Sequence, residues 1–418
     1  MFAGAAWSHA WVSDSPPKPQ RKSRISVIFT GPPGPEDRGW NADPKQLEAM
    51  KARLAQVEKD LGNVELLIGE ANNAEQTAAL LKQAGPATPV LAVNLHCFAL
   101  TRMVQPILDG NHPLVVFSLP ASGHDWMYPH RWQRQGHPVT LLPSSDYNEL
   151  ERAIRLLRVI PMMQQTRILL FPPAKGTAPA QSPEEVKKRL GADVVAVDEK
   201  TFSDLIAAAD DKEVQAETAR WTGEAKQIIE PTQEDIAKAA RVSVALQNLM
   251  KLQQAQGLAI GTCMGWLPKG FPCLGFARLR DCGIPAACEG DMDSLLTMLL
   301  FQYAIDRPGF QGNATFDTSR NALWTAHCTA PLKMDGQDGK PAPYLLRGHS
   351  EVHGSGCVPE VQYRVGETIT RTKLVNLDRS SKCPRSRSAP VAPRLSRKSA
   401  MRRRWPPTGA ASLKRRTP

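Results

Sequence analysis

The chain has no apolar run of ~18 residues, so a membrane-spanning helix has nothing to be built from. Its eight cysteines, Cys97, Cys263, Cys273, Cys282, Cys288, Cys328, Cys357 and Cys383, include no C-x-x-C pair. That spacing removes zinc-ribbon and thioredoxin-type readings. Apolar neighbours, as around Cys288 in IPAACEG, suit reduced, buried thiols of a cytosolic protein better than a disulfide framework. No G-x-G-x-x-G follows the first strand-like run, which passes into GPPGP, and G-x-x-x-x-G-K-[ST] is absent throughout. Nucleotide-binding readings therefore lack a phosphate cradle. H-E-x-x-H and G-x-S-x-G are missing too, which removes the common zinc-protease and α/β-hydrolase signals.

Acid is what the C-terminal end lacks. Thirteen Lys or Arg and no Asp or Glu follow Asp378, and 39 basic residues stand against 41 acidic ones before it. The formal charge of +11 thus belongs to the tail, and a body without a basic excess has no electrostatic footprint for nucleic acid. Residues 379–418, rich in Pro, Arg and Ser and without hydrophobic period, read as a disordered basic tail or as out-of-frame translation. Nucleic-acid binding through Arg402, Arg403, Arg404, Lys414, Arg415 and Arg416 is the tail's own alternative. Residues 1–23 lack a basic n-region and a long apolar stretch, and read as a disordered leader or the stump of an export signal.

What is present is repetition. At 418 residues the chain is long for one core. Short runs that are apolar on consecutive positions (ISVIF, VELLI, PVLAVNL, PLVVFSL, VTLL, RILLF, DVVAVD, GLAIG, IPAAC) predict strands buried on both faces. Between the first two, Asp43, Pro44 and the positions Leu47, Met50, Leu54, Val57 and Leu61 predict a capped helix stopped by Gly62. Such βα alternation predicts an α/β fold with parallel sheets layered by helices. The pattern divides into an α/β domain at 24–164, a second at 165–310 and a β-rich part at 311–378, with TRTKLVNLD the last strand.

Chemistry concentrates between Cys288 and Gly336. Glu289 closes the strand IPAAC, where α/β folds place site residues, and Asp317 lies in a turn-rich stretch after an intervening helix. His327 follows on the strand ALWTAHC. Two carboxylates and an imidazole offer a hard site for Mn²⁺ or Mg²⁺; the alternative is that the acids cap helices and His327 is a core histidine. In GHSEVH, the alternation of His349, Glu351 and His353 predicts one strand face, either lining a site or exposed to water. The loop SGHDWMYPHRWQRQGH presents His124, Asp125, Trp126, His130 and Trp132, either over a neighbour's pocket, where Trp faces stack on sugar rings, or as a folded surface loop.

With PCLGFARLRDCGIPAACEGDM before it and APYLLRGHSEVHGSGCVPEVQYRVGETITRTKLVNLD after it, this segment resembles the L-fucose isomerase and L-arabinose isomerase family over Gly257 to Asp378. The resemblance implies two Rossmann-like three-layer α/β domains followed by a β-rich C-terminal domain, incomplete here, and a cytoplasmic homo-oligomer with its site between the last two domains and a neighbouring subunit. It implies a metal-dependent interconversion of aldose and ketose through an enediol. By the same resemblance Glu289 and Asp317 are the catalytic, metal-binding carboxylates for Mn²⁺ or another divalent cation, with His327 a third ligand and no nucleotide cofactor. The family's distal histidine falls where this chain has its Arg-rich tail, so an impaired sugar-binding or structural relic is the rival reading.

Overall fold

The computed structural model describes residues 22–31, 42–352, 354–375, 377, 392–395 and 399–400. Its first elements are β1 (Ser23–Thr30), α1 (Pro44–Leu61), β2 (Val64–Ala71), α2 (Ala74–Ala84), β3 (Val90–Asn94), α3 (Ala99–Met103), α4 (Gln105–Asp109), β4 (Leu114–Ser118), α5 (Met127–Arg134), β5 (Val139–Pro143) and α6 (Glu149–Gln164). The five strands pair in parallel in the order β2-β1-β3-β4-β5. Every residue of β3 and β4 is buried, as runs of consecutive apolar residues require. Ile25, Val27 and Phe29 pack with Met50 and Leu54 of α1 and Ile154 and Leu157 of α6. Ile28 points the other way, into a core shared with Leu81, Leu100 and Ile107. Helices therefore cover both faces. As the spacing predicts, the Asp43 carboxylate accepts the Lys45 N–H at 2.8 Å, Pro44 opens α1, and Gly62 ends it at φ 66°.

A second parallel sheet follows. In chain order its elements are β6 (Arg167–Phe171), α7 (Ala178–Gln181), α8 (Pro183–Leu190), β7 (Asp193–Ala196), α9 (Glu199–Ala207), α10 (Asp211–Glu224), β8 (Gln227–Ile228), α11 (Gln233–Leu252), β9 (Gly257–Ile260), α12 (Cys273–Asp281), β10 (Ala286–Ala287) and α13 (Met292–Ile305). The order is β10-β9-β6-β7, and β8 leaves to join another sheet. Val242, Ala245 and Leu249 of α11 fill one face with Leu169, Leu258 and Ile260. Leu295, Leu296 and Leu299 of α13 fill the other with Ile168 and Ala259. The two sheets are tied through α6 and α13: the buried Arg158 donates to Tyr303 O at 2.8 Å and to Asp306 Oδ2 at 2.7 Å.

The remaining strands are β11 (Asn313–Asp317), β12 (Ala322–Ala326), β13 (Tyr344–Arg347), β14 (Val358–Val361), β15 (Ala392–Leu395) and β16 (Ser399–Ala400). β13 pairs antiparallel with β14 and parallel with β8. Tyr344, Leu346, Cys357 and Val361 bury themselves against Trp221, Ile236 and Leu274, so this small sheet is seated on α10, α11 and α12. β12 pairs antiparallel with β11 and parallel with β15. Within the predicted tail, residues 392–395 and 399–400 are thus strands, and the rest of 378–418 lies outside the described residues, as do residues 1–21 of the leader.

Three local readings are corrected. GHSEVH does not continue as a strand: β13 stops at Arg347, and Ser350–Val352 is a 3₁₀ turn. His349 N–H donates to Ser355 O at 2.9 Å and its C=O accepts from Gly354 N–H at 3.1 Å, which folds the chain back. SGHDWMYPHRWQRQGH is helical over most of its length, as a 3₁₀ segment Pro120–Trp126 running into α5. Residues 371–375 of TRTKLVNLD form no strand. Among the described residues no helix is long and apolar enough to cross a membrane.

Candidate functional site

β9 and β10 are neighbours with Ala259 opposite Ala287, so the residues that follow them leave the carboxyl edge of the sheet side by side. The backbone is tightly packed there: an added Cβ on Gly261 or Gly290 would meet the carbonyl of Pro173. Lys175 N–H donates to Gly290 O at 2.8 Å and Met292 N–H to Lys175 O at 3.0 Å. These clamps hold Glu289 at φ 57° and ψ 18°. That left-handed conformation costs an L residue ~1–2 kcal/mol, and strain of this kind collects at functional sites. The Glu289 side chain is half-buried.

Four thiols run inward from this edge. Cys263, after β9, and Cys288, after β10, have their Sγ atoms 3.3 Å apart. Cys288 is also hydrogen-bonded to Cys328, and Cys328 to Cys273. Cys273 begins α12, Cys328 follows β12 and His349 follows β13, so the contacts of three separate layers bring them to one point. The ligand atoms of Cys273, Cys328 and His349 all lie within 4.8 Å of one another, and so do those of Cys288, His327 and Cys328. His349 stacks on Phe271 with centroids 4.9 Å apart, and its Nδ1 accepts the Glu351 N–H at 3.3 Å. Arg280 is buried beside the cluster. Its guanidinium donates to Ala286 O, to Thr329 O and, at 3.1 Å, to Gln311 Oε1. Gln311 in turn accepts the Cys288 N–H at 2.9 Å and donates to Cys288 O at 3.1 Å.

Burial governs the electrostatics. It lowers the Arg280 pKa to about 10 and drives that of His327 down to about 4, with the Arg280 charge adding to the second effect. The hydrogen bond to Cys288, with burial, pushes the Cys263 thiol far up. For Cys288 the bond from Cys263 pulls the pKa down but is outweighed by the bond to Cys328 and by burial. Cys273 is likewise pulled down by its bond to Cys328 and carried above its ordinary value by burial. His349 is lowered by burial, against the opposing charges of Glu351 and Glu289. Without a cation these thiols stay protonated.

The residues singled out in the sequence are distributed as follows. Glu289 sits at the predicted strand end, within electrostatic reach of His349. Asp317 ends β11 and spends its carboxylate on the Ser319 hydroxyl at 2.7 Å and on Arg320 at 3.7 Å; it precedes the 3₁₀ turn Thr318–Arg320 without a side-chain cap bond. His327 is grouped with Cys288 and Cys328 instead of with the two carboxylates. Glu351 is exposed on its 3₁₀ turn, and His353 lies outside the described residues. In the first sheet His124 is exposed with its ring 5.7 Å from that of Phe98, while the Trp126 indole N–H donates to Ser118 Oγ at 2.8 Å. Asp125 is buried and holds the Asn94 amide at 3.1 Å and the Phe98 N–H at 3.1 Å, a structural duty. Sequence reasoning missed Cys273, Cys288 and Cys328 as a group. The only signal was density, since six of the eight cysteines fall between Cys263 and Cys357.

Both groups that could hold an ion are made of sulfur and imidazole, donors suited to borderline or soft cations. Neither contains Glu289 or Asp317, so the donor set that the described residues assemble does not fit Mn²⁺, which prefers carboxylate and water oxygens. An open hollow of about 380 Å³ beside α9 and α11, lined by Ser203, Ile206, Ala207, Arg241 and Lys269, contains none of these donors. The chain is thus a mixed α/β protein with a thiol and imidazole cluster, and a strained glutamate, at the carboxyl edge of a parallel sheet. No family model matches it, and no curated protein does.

Proposed function

We propose that the chain is an aldose–ketose isomerase acting on L-fucose, L-arabinose or a related sugar, with two Rossmann-like units and a β-rich C-terminal part. Glu289 is its proton carrier. The observation that carries this reading is Glu289 itself, half-buried and held in a left-handed conformation just beyond the carboxyl end of β10. A base in that place can take the proton from C2 of the aldose while O1 gains one, giving the enediol. Return of the proton to C1 with loss of the O2 proton gives the ketose. The resemblance of Gly257 to Asp378 to sugar isomerases supports the same chemistry. In a cytoplasmic homo-oligomer, the exposed His124 and the neighbouring Trp126 would line a partner's pocket.

The test is ketose formation from L-fucose and L-arabinose by purified protein, with and without added Mn²⁺, alongside Glu289→Gln. The variant should lose ~10²-fold or more in kcat with unchanged thermal stability, as expected for a lost base. Equal turnover in both proteins would remove Glu289 from the reaction. The relic reading has its own support in Asp317, which is engaged with Ser319 and Arg320. Calorimetric binding of the sugars with no ketose formed in any divalent metal would favour it.

A further inference from the structure

We propose that Cys273, Cys288, Cys328 and His349 form a Cys₃His site for a thiolate-seeking cation of the Zn²⁺ class, separate from any hard cation used in sugar chemistry. The ligand atoms of Cys273, Cys328 and His349 already lie within 4.8 Å of one another, and Cys288 Sγ lies within the same distance of Cys328 Sγ. Four ligands ~2.0–2.3 Å from a tetrahedral ion stand ~3.3–3.8 Å apart, so small rotamer adjustments bring the Cys273, Cys328 and His349 triad to that spacing, while Cys288, which shares the 4.8 Å limit with Cys328 but not with the whole triad, must turn from Cys263 toward Cys328 to complete the shell. Each donor leaves a different packed element: the start of α12, the end of β10, the end of β12 and the turn after β13. A cation here would pin the β-rich strands to the second parallel sheet.

Charge favours Cys288 over His327 as the fourth ligand. Three thiolates, one neutral imidazole and a divalent ion sum to one negative charge. The buried Arg280 guanidinium, whose hydrogen bonds go to the neutral oxygens of Ala286, Thr329 and Gln311, supplies the matching positive charge. Gln311 links the two, bonding both Arg280 and the Cys288 backbone. His349 is also held in place, by the Phe271 ring stacked on it with centroids 4.9 Å apart.

Full-length protein, reduced and stripped of metal, should take up one Co²⁺ per chain with thiolate charge-transfer bands and intense tetrahedral d–d bands that one equivalent of Zn²⁺ removes. X-ray absorption of the Zn²⁺ form should show three sulfur neighbours at ~2.3 Å and one nitrogen at ~2.0 Å. Cys328→Ser should lose the bands. Cys263→Ser and Cys357→Ser, which remove buried thiols outside the shell, should keep them. An oxygen- and nitrogen-only shell in the wild type overturns the site, as do bands that survive in Cys328→Ser. So does reduced protein that takes up no Co²⁺ and, on air exposure, forms a Cys263–Cys288 disulfide, because the sulfurs would then be a redox pair. None of these readouts depends on isomerase activity.

Discussion

Asp281 carries its charge at a cost set by its surroundings. One carboxylate oxygen accepts the Leu332 N–H at 2.7 Å and the Lys333 N–H at 2.9 Å, yet burial outweighs both and lifts the pKa from 3.8 to about 6. A folded-state pKa above the unfolded value means that the native protein holds the proton more tightly. The resulting stabilisation is complete below pH 3.8 and is lost as pH rises through about 6. A shift of this size corresponds to roughly 3 kcal/mol. Asp281→Asn keeps an acceptor oxygen and removes the ionisation, so urea denaturation between pH 4 and 7 should show the wild type losing up to ~3 kcal/mol relative to the variant. Parallel stability profiles would show that the carboxyl ionises without penalty. Such effects are invisible in sequence, because an aspartate followed by CGIPAAC carries no mark of its burial. The position of Glu289 at a strand end was legible; its left-handed backbone was not, since it follows from the clamp made by Lys175 and Gly290.

At the scale of elements, α1 was readable from Asp43, Pro44 and the spacing of Leu47, Met50 and Leu54, but the role of Arg158 within α6 was not. Arginine is ordinarily an exposed residue, and only the packing of α6 on α13 buries this one. Its side chain donates to Tyr303 O, Asn63 Oδ1 and Asp306 Oδ2, joining the helices of the two sheets. Arg158→Leu should therefore cost about 2–4 kcal/mol in chemical denaturation, less than a fully buried ion pair would because Asp306 is half-exposed. A loss within ~0.5 kcal/mol would place the contact among ordinary surface pairs. GHSEVH misled for a related reason. Its alternation is that of a strand, but Arg347 is held at the strand end by Glu230 and Glu360, and the backbone then folds back through Gly348 and Gly354.

For the whole molecule, the basic tail is the clearest place to intervene. Its β15 pairs with β12 only through Trp324 with Ala392 and Thr325 with Pro393. Deleting residues 379–418 should lower Tm by no more than ~2–4 °C, the equivalent of about 1 kcal/mol, in a thermal melt. A larger drop would show that β15 closes a sheet on which the body depends. Loss of salt-sensitive DNA retention on deletion would point instead to a phosphate contact made by the Arg-rich segment.

The sequence by itself determined the α/β alternation, because apolar runs and a helix with its own cap and spacing are local signals; burial on both faces holds for β3, β4 and β9, whereas DVVAVD gave β7, which is largely exposed. It determined where the charge lies, and that Glu289 follows a strand, in the turn just beyond β10. Tertiary structure decided which residues meet. The sulfur and imidazole cluster draws on Cys273, Cys288, Cys328 and His349, separated by irregular intervals and delivered by a helix start, two strand ends and a turn. No local spacing encodes that convergence; it follows from β9 and β10 lying side by side and from β13 and β14 packing on α12. The same packing leaves Asp317 with Ser319 and Arg320, since a carboxylate bonds what the fold puts within reach.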